Sequence, residues 1–484
     1  MHEPAPLTKG ILGITVSVVT APWRALRWFC RGLYRRRRAL LYIVIALVAV
    51  HLIATLVTGI MLRNEIARLK SGGYLLARDQ LIPHVPSGEK NAADIYQKAF
   101  DARRVSDEDA AKMADRTAGM TSGEAFDATR RVLADNVRYL ALLREAARTS
   151  ACAFPTNWDA GPGGVSFKQF AQLREGARML QANSAVAAAD GRTDAALADA
   201  ATMLRIAEHA KLEPILIGQL VGYALQSMAV QSLRDALALG DPSLKAARDL
   251  MAQMVAIDEV EPSVRSMKGE IALLGLPFFE MARHASSNIV AQFSVGREGT
   301  NSWAGRALRA YGTVGRPLYN LDEIAYLRAM KDEVDAFSLP WPESHNRIVA
   351  LDKRTTAFPT RGGILTSMLM PVFARAVWSR EKTAANLGDA QIALALCIYK
   401  SERGTYPDSL SALEAAGFKL PNDPFGGQPF KYRREGAGFI VYSIGSDMKD
   451  DGGLPPVWDA AEKLSDEQRK YRKEHYDLPF TRPR

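Results

Sequence analysis

Glu208, His209 and Glu213 fall within six residues of one another at the end of a helical pattern. An imidazole beside two carboxylates can carry general acid–base chemistry if the three share a cavity. A helix end is ordinarily solvated, and the sequence alone favours that reading, with no catalytic role. The other histidines, His2, His51, His84, His284, His345 and His475, are scattered. No H-E-x-x-H pair, Walker loop, G-x-S-x-G elbow or dinucleotide fingerprint occurs. Cys30, Cys152 and Cys397 stand at no metal-ligand spacing. Cys152 and Cys397 could pair, but two buried free thiols are the expectation. Trp158 and Asp159, in "FPTNWDAGPGG", read as a turn with an aromatic plug. These residue types point away from an enzyme; a hydrolase with an unrecognised site is the alternative.

The elements that must position these residues begin with "ALLYIVIALVAVHLIATLVTGIML", residues 39–62, which contain no Asp, Glu, Lys or Arg. Such a helix is about 36 Å long, enough to cross a hydrocarbon layer of about 30 Å with some tilt. The block Arg35 to Arg38 abuts it, so the positive-inside rule puts residues 1–38 in the cytoplasm and 63–484 outside it. The run is too long, and lacks an A-x-A site, for a cleaved signal peptide. His51, alone within it, is read as incidental. Ahead of it Arg24, Arg27, Arg31 and Arg35 share one helical face, suiting either a surface helix on an anionic leaflet or a plain stop-transfer cluster. The chain carries +9 overall, but residues 1–38 hold eight basic residues against Glu3 alone. Residues 63–484 are therefore nearly neutral, which excludes a nucleic-acid footprint.

From Asn91 to about residue 400 the pattern is helical, with residues 63–383 forming an extracytoplasmic helical domain. Phe167, Phe170, Leu173, Ala177 and Leu180 make one stripe; after "DGRTD" it resumes with Leu197, Ala201 and Leu204. This predicts a helical hairpin of the kind found in TPR-like solenoids, without a 34-residue repeat. Residues 214–239 predict a helix with Pro214 at its first position and Gly240 at its cap. It has no charge between Glu213 and Arg234, yet Gln219, Gln226, Ser227, Gln231 and Ser232 argue for a core helix over a second span. Gly218 and Gly222 would admit a close neighbour. "GGILTSMLMPVFARAVW" reads as a core helix kinked at Pro371, and Arg283 to Arg316 as a loop or loose insertion.

Residues 384–459 carry a distinct pattern. A helix leads through Tyr406 and Pro407 to Asp423, Pro424, Phe425, Gly426, Pro429 and Tyr432. A hairpin comes next, then Tyr442, Ser443, Gly445, Asp447, Gly452 and Gly453. This segment resembles the globular part of the major pseudopilin of type II secretion systems. The resemblance implies a small α+β module and a structural calcium ion, with Asp447 as its first aspartate ligand and Asp459 as the last. The pattern departs from the family where Val457 replaces an acid and where "SDMKDDGG" is one residue longer. Calcium takes six to eight oxygens, so the departure weakens the site. An EF-hand count from Asp447 puts Lys449 and Trp458 where acids belong. No cleavable leader precedes the apolar helix and that helix holds no acid, so the assembly role does not carry over. The layout is similar to that of bacterial membrane-anchored proteins that join a helical middle to this module, which implies an architecture without an activity.

The sequence thus predicts a mainly α protein: a basic tail (1–38), a transmembrane helix (39–62), a helical-hairpin domain (63–383), an α+β module with a β-hairpin (384–459) and a charged tail (460–484). The expected role is interaction or scaffolding at the bacterial cytoplasmic membrane with envelope protein partners and no nucleic acid. An accessory of a type II secretion or pilus-like system is the alternative.

Overall fold

The structure, a computed structural model, describes residues 37–106, 123–283, 315–355, 363–370, 373–455 and 477–482. The basic stretch ahead of the apolar run, Cys30, Pro371, Asp459 and nearly all of the stretch between Arg283 and Arg316 lie outside the described residues.

The first helix, α1 (Arg37–Ser71), has a mean hydropathy of 2.8 over its most apolar window, none of which is buried. Among the described residues it is the one helix long and apolar enough to cross a membrane. Every side chain from Arg37 to Val50 is exposed. Then one face turns inward: Thr58, Leu62, Glu65 and Leu69 are buried, a stripe at spacings of three and four. The helix passes unbroken from a bare apolar rod into a packed element.

The body continues as α2 (Ala92–Ala102), α3 (Glu124–Asp135), α4 (Val137–Arg148), α5 (Lys168–Ala189), α6 (Thr193–Lys211), α7 (Leu216–Leu239), α8 (Leu244–Val255) and α9 (Val260–Gly269). A π-helical turn, Glu270–Gly275, leads into α10 (Leu276–Arg283). Then come α11 (Arg316–Phe337), α12 (Glu343–Thr355), α13 (Ile364–Leu369), α14 (Ala374–Arg403) and α15 (Leu410–Ala415). Asn91 starts α2 as its spacing predicts: Oδ1 accepts from Ala93 N at 3.1 Å, and Nδ2 donates to Ala153 O at 2.9 Å.

Helices α5, α6 and α7 form an antiparallel layer with small residues at the contacts. Ala177, Ala187, Ala196, Ala200 and Ala207 are fully buried there. On α7, a Cβ at Gly218 would lie 2.8 Å from Ala210 O and one at Gly222 would lie 2.5 Å from Lys211 Cγ. Both glycines therefore permit the close crossing of α6. The predicted core helix is observed, beginning at Leu216 rather than Pro214 because Glu270 Oε1 accepts the Leu216 N–H at 2.7 Å and fixes the first turn. The nitrogens of its two buried amides have protein acceptors, while Oε1 of Gln219 and of Gln226 is buried without a partner. Gln219 Nε2 donates to Lys211 O (3.0 Å) and Gln226 Nε2 to Glu259 Oε1 (2.6 Å).

The apolar interior has two parts. One joins α2 to α8 with the later half of α14. The other joins the end of α1 to α9, α10, α11, α12, α13 and the start of α14. The small sheet lies on α14 and is antiparallel, ordered β1 (Lys431–Glu435), β2 (Gly438–Ser443), β3 (Leu478–Arg482). The hairpin pairs Lys431 with Tyr442 and Glu435 with Gly438. The third strand comes from the stretch read from sequence as a charged tail, pairing Val441 with Phe480. Phe480 is fully buried, and Arg482 is tied by an ion pair to Asp241 between α7 and α8. Cys152 and Cys397 are buried free thiols.

Among the described glycines, Gly269 of α9 makes the closest approach to another backbone, at the turn before α7. A Cβ on Gly269 would sit 1.7 Å from Pro214 O. Gly269→Ala is therefore expected to destabilise the protein by about 3 kcal/mol, read as a lowered denaturant midpoint. An unchanged midpoint would refute the packing.

Candidate functional site

The acid–imidazole cluster is where the sequence reading changes most. His209 and Glu213 are buried, not solvated. The reason is tertiary: the last turn of α6 is covered by α2, by the loop holding Cys152 to Thr156, and by α7. Tyr96 Oη lies 2.9 Å from His209 Nδ1, with the rings edge to face. Burial brings His209 down to about 4, so it is neutral at physiological pH. Glu213 Oε1 accepts from Thr156 Oγ1 at 3.2 Å, while Oε2 is buried without a partner. Burial raises Glu213 to about 7. Glu208 turns the other way, to Lys211 Nζ at 2.8 Å, and that buried ammonium is shared with Glu259 at 2.8 Å. The three residues adjacent in sequence thus serve three separate partners, and none lines the clefts that Arg144 divides.

The acidic loop is held by its own backbone. Asp423, buried, accepts from Phe425 N (3.0 Å), Ser443 Oγ (2.8 Å) and Ile444 N (2.8 Å), closing the loop onto the hairpin. Asp447 Oδ1 accepts from Lys449 N at 3.2 Å, an Asx turn, and Oδ2 has no partner. Tyr442 Oη donates to Asp450 Oδ1 (2.9 Å), and Gly453 N to Asp477 Oδ2 (2.6 Å). Burial, opposed by the Gly453 and Asp451 amides and joined by the charges of Asp451 and Asp450, brings Asp477 up to about 6. Among the described residues no three His, Cys, Asp or Glu side chains are grouped so as to hold a metal ion. Asp459, the other aspartate that the resemblance implies, lies outside the described residues.

The arrangement with room for a ligand was not singled out by sequence. A cleft of about 300 Å³ between α4, α6 and α8 adjoins one of about 490 Å³ between α3, α4, α5 and α6, both open to solvent. They share Arg144 and Ala198. Arg144 Nε and Nη2 both donate to the buried Asp199 Oδ1, at 2.9 and 2.7 Å, and Asn183 Nδ2 donates to Oδ2 at 2.5 Å. Arg144 is thereby fixed as the partition. In the larger cleft Arg130 and Arg192 are held by Asp190. In the smaller one Lys245 pairs with Asp249 at 2.5 Å. Arg148 on α4 and Arg205 on α6 line the same cleft, are exposed, and have no ion-pair or hydrogen-bond partner among the described residues. Six cations line the pair of clefts against Asp194, Asp199 and Asp249. The signal in the sequence was weak: Arg144 and Arg148 share a helical face, but Arg205 lies far along the chain. A third hollow, about 270 Å³ between α7, α14 and β3, places Lys382 near Arg234, and burial with that positive charge lowers Lys382 to about 8.

No family model, curated protein or solved structure matches this chain.

The buried pair of Glu213 and His209 sets opposite pH dependences. Glu213 binds its proton more tightly folded than unfolded, so its penalty is full above about 7 and relieved by about 4.5. His209 binds its proton less tightly folded, so acidification from 6.5 to about 4 removes stability. Glu213→Gln keeps the Thr156 hydrogen bond and deletes the first effect. It is expected to be more stable than wild type at pH 8 by up to about 3 kcal/mol and equal to it near pH 4.5. Paired thermal melts across that range check this; a constant difference would contradict it.

Proposed function

We propose that this chain is a single-pass membrane protein whose body stands outside the cytoplasm and acts as an interaction or scaffold protein, gripping an acidic segment of an envelope partner in the double cleft. The single observation carrying the reading is that Arg148 and Arg205, two exposed guanidinium groups lining one cleft, have no ion-pair partner among the described residues. An acidic side chain or chain-end carboxylate seated there would accept charge-assisted, forked hydrogen bonds. The small floor residues Ala198 and Ala201 leave space for a peptide backbone. Arg144, already neutralised by Asp199, serves as a rigid wall rather than a second anion site.

Support for the address comes from α1 and from the arginine block, Arg35 to Arg38, at its start. Support for binding over catalysis comes from the titratable groups themselves. His209, Glu208 and Asp199 are committed to protein partners, and in the smaller cleft Asp249 is paired with Lys245 while Asp194 accepts from Ser243 N.

A second reading, an accessory of a type II secretion or pilus-like machine, is favoured by one feature. β1 is an edge strand with Lys431, Arg433 and Arg434 exposed, on the hairpin where the sequence resemblance lies. These cations are paired with Asp450, Glu435 and Asp408, so docking would use the open backbone edge of β1, by addition of a strand from a neighbouring subunit.

Full-length protein in detergent is expected to bind a fluorescent oligo-glutamate peptide. Arg148→Glu combined with Arg205→Glu should weaken binding at least about ten-fold, leaving the melting temperature unchanged because both side chains are exposed. Fluorescence anisotropy measures this, and equal binding by the double variant would remove the cleft from the proposal.

A further inference from the structure

We infer that the body is seated in the outer surface of the same bilayer that α1 crosses, with the start of α11 and the helix α13 inserted at the interface. The inference rests on the membrane-spanning reading of α1.

The depth follows from two contacts along the α1–α11 seam. Asn320 Nδ2 donates to Thr58 Oγ1 at 3.1 Å, and Arg328 Nε donates to Glu65 Oε2 at 2.9 Å. Eight residues on α11 therefore match seven on α1, so the helices run parallel and level with each other. Thr58 lies four residues, about 6 Å, inside the end of the charge-free run. The first turns of α11 accordingly stand beside apolar α1, not above it. Ala39 to Val57 alone measures about 28 Å, close to the hydrocarbon thickness of about 30 Å. The final turn of the run is then free to lie in the interface with the body packed around it.

The exposed side chains at this level match that placement. Leu318 is 57% exposed and Leu321 42%, three apart on one face of α11. One further heptad along the same face stands Arg328, level with Glu65. The face changes from aliphatic to cationic where α1 changes from Ile60 and Met61 to Arg63 and Asn64. Helix α13 adds Ile364 (44% exposed) and Met368 (53%), four apart on one face. It is pinned to α11 at this level by Asp322, whose carboxylate accepts from Leu365 N (2.8 Å), Thr366 N (3.1 Å) and Thr366 Oγ1 (2.6 Å). Four large aliphatic side chains on two elements are therefore held in water beside a membrane helix, unless the bilayer covers them. Arg316, one turn nearer the membrane than Asn320, has a stem long enough to return its guanidinium to the phosphate layer.

The test uses the full chain with Cys30, Cys152 and Cys397 replaced by Ala, spin-labelled at single cysteines and reconstituted into phosphatidylethanolamine–phosphatidylglycerol vesicles. Labels go at Leu47→Cys, Leu321→Cys, Met368→Cys and Arg68→Cys, all exposed positions. Power saturation compares oxygen, which concentrates in lipid, with a water-soluble nickel chelate. Leu321 and Met368 are expected to resemble Leu47, with nickel accessibility at least about five-fold below that of Arg68. Nickel accessibility at Leu321 and Met368 equal to that at Arg68, with Leu47 still in lipid, overturns the seating and leaves the span standing. Nickel access at Leu47 overturns the span and the seating together. Shielding of Leu321 from both reagents, with inter-subunit spin coupling, overturns the seating in favour of a second copy as the covering surface.

Discussion

Burial of one long helix on nearly every side constrains the rest of this fold. α14 contributes Ala376, Val377 and Ala385 to the core around the end of α1, and Leu387 through Ile398 to the core of the α5–α7 layer. It also carries ionisable groups into both. Arg380 is buried and is neutralised by its neighbour Glu381, with Nη1 donating to Phe337 O. Asp389 is fully buried beside Arg234 at 3.4 Å, and burial holds its carboxyl far above the ordinary range. A charge removed from water without a partner costs several kcal/mol. The ends of α11 and α7 are therefore bound to where α14 places these groups. The sheet completes the cover, with Phe439, Val441 and Phe480 on its apolar side.

This arrangement joins the terminal module to the same apolar cluster as the end of α1, although some three hundred residues separate them in sequence. Phe425, from the loop closed by Asp423, packs edge to face on Trp341 at 5.1 Å. Both belong to the cluster that contains Leu62 and Leu69 of α1. The end of α1 is accordingly built into the body, because Thr58, Leu62, Glu65 and Leu69 are buried within one continuous helix and Thr58 and Glu65 bond to Asn320 and Arg328 of α11. A buried Glu65 fixes that seam, since it must stay beside Arg328 to keep its charge compensated.

Two chemical settings result. Groups inside the helical layer, His209 and Glu213 above all, are shifted by burial toward neutrality and committed to Tyr96 and Thr156. The α4–α6–α8 face is open to solvent, with Arg148 and Arg205 exposed on it. Only the second setting leaves cations such as Arg148 and Arg205 ready for an incoming anion.

Much of the architecture was legible in the residue order, because periodicity and capping act over a few residues. The apolar run of α1, the hairpin of α5 and α6 with its alanine stripe, the Asn91 cap and the hairpin of β1 and β2 all follow from neighbours within a turn or two. Gln219 and Gln226 correctly announced a packed helix, since their amides need protein partners. The site was less legible. Glu208, His209 and Glu213 looked solvated because nothing local shows that α2 and α7 cover the end of α6. Residues 478–482 looked like a charged tail because a third strand is defined only by the strand it joins. Arg148 and Arg205 became a pair only when α4 packed on α6. By itself, then, the sequence determined which segments are helix, strand or membrane-length rod, since local hydrogen bonding and hydrophobic period decide that. The tertiary structure alone decided which charges are buried, which are paired and which remain free, because desolvation and Coulomb partners depend on residues brought together from distant parts of the chain.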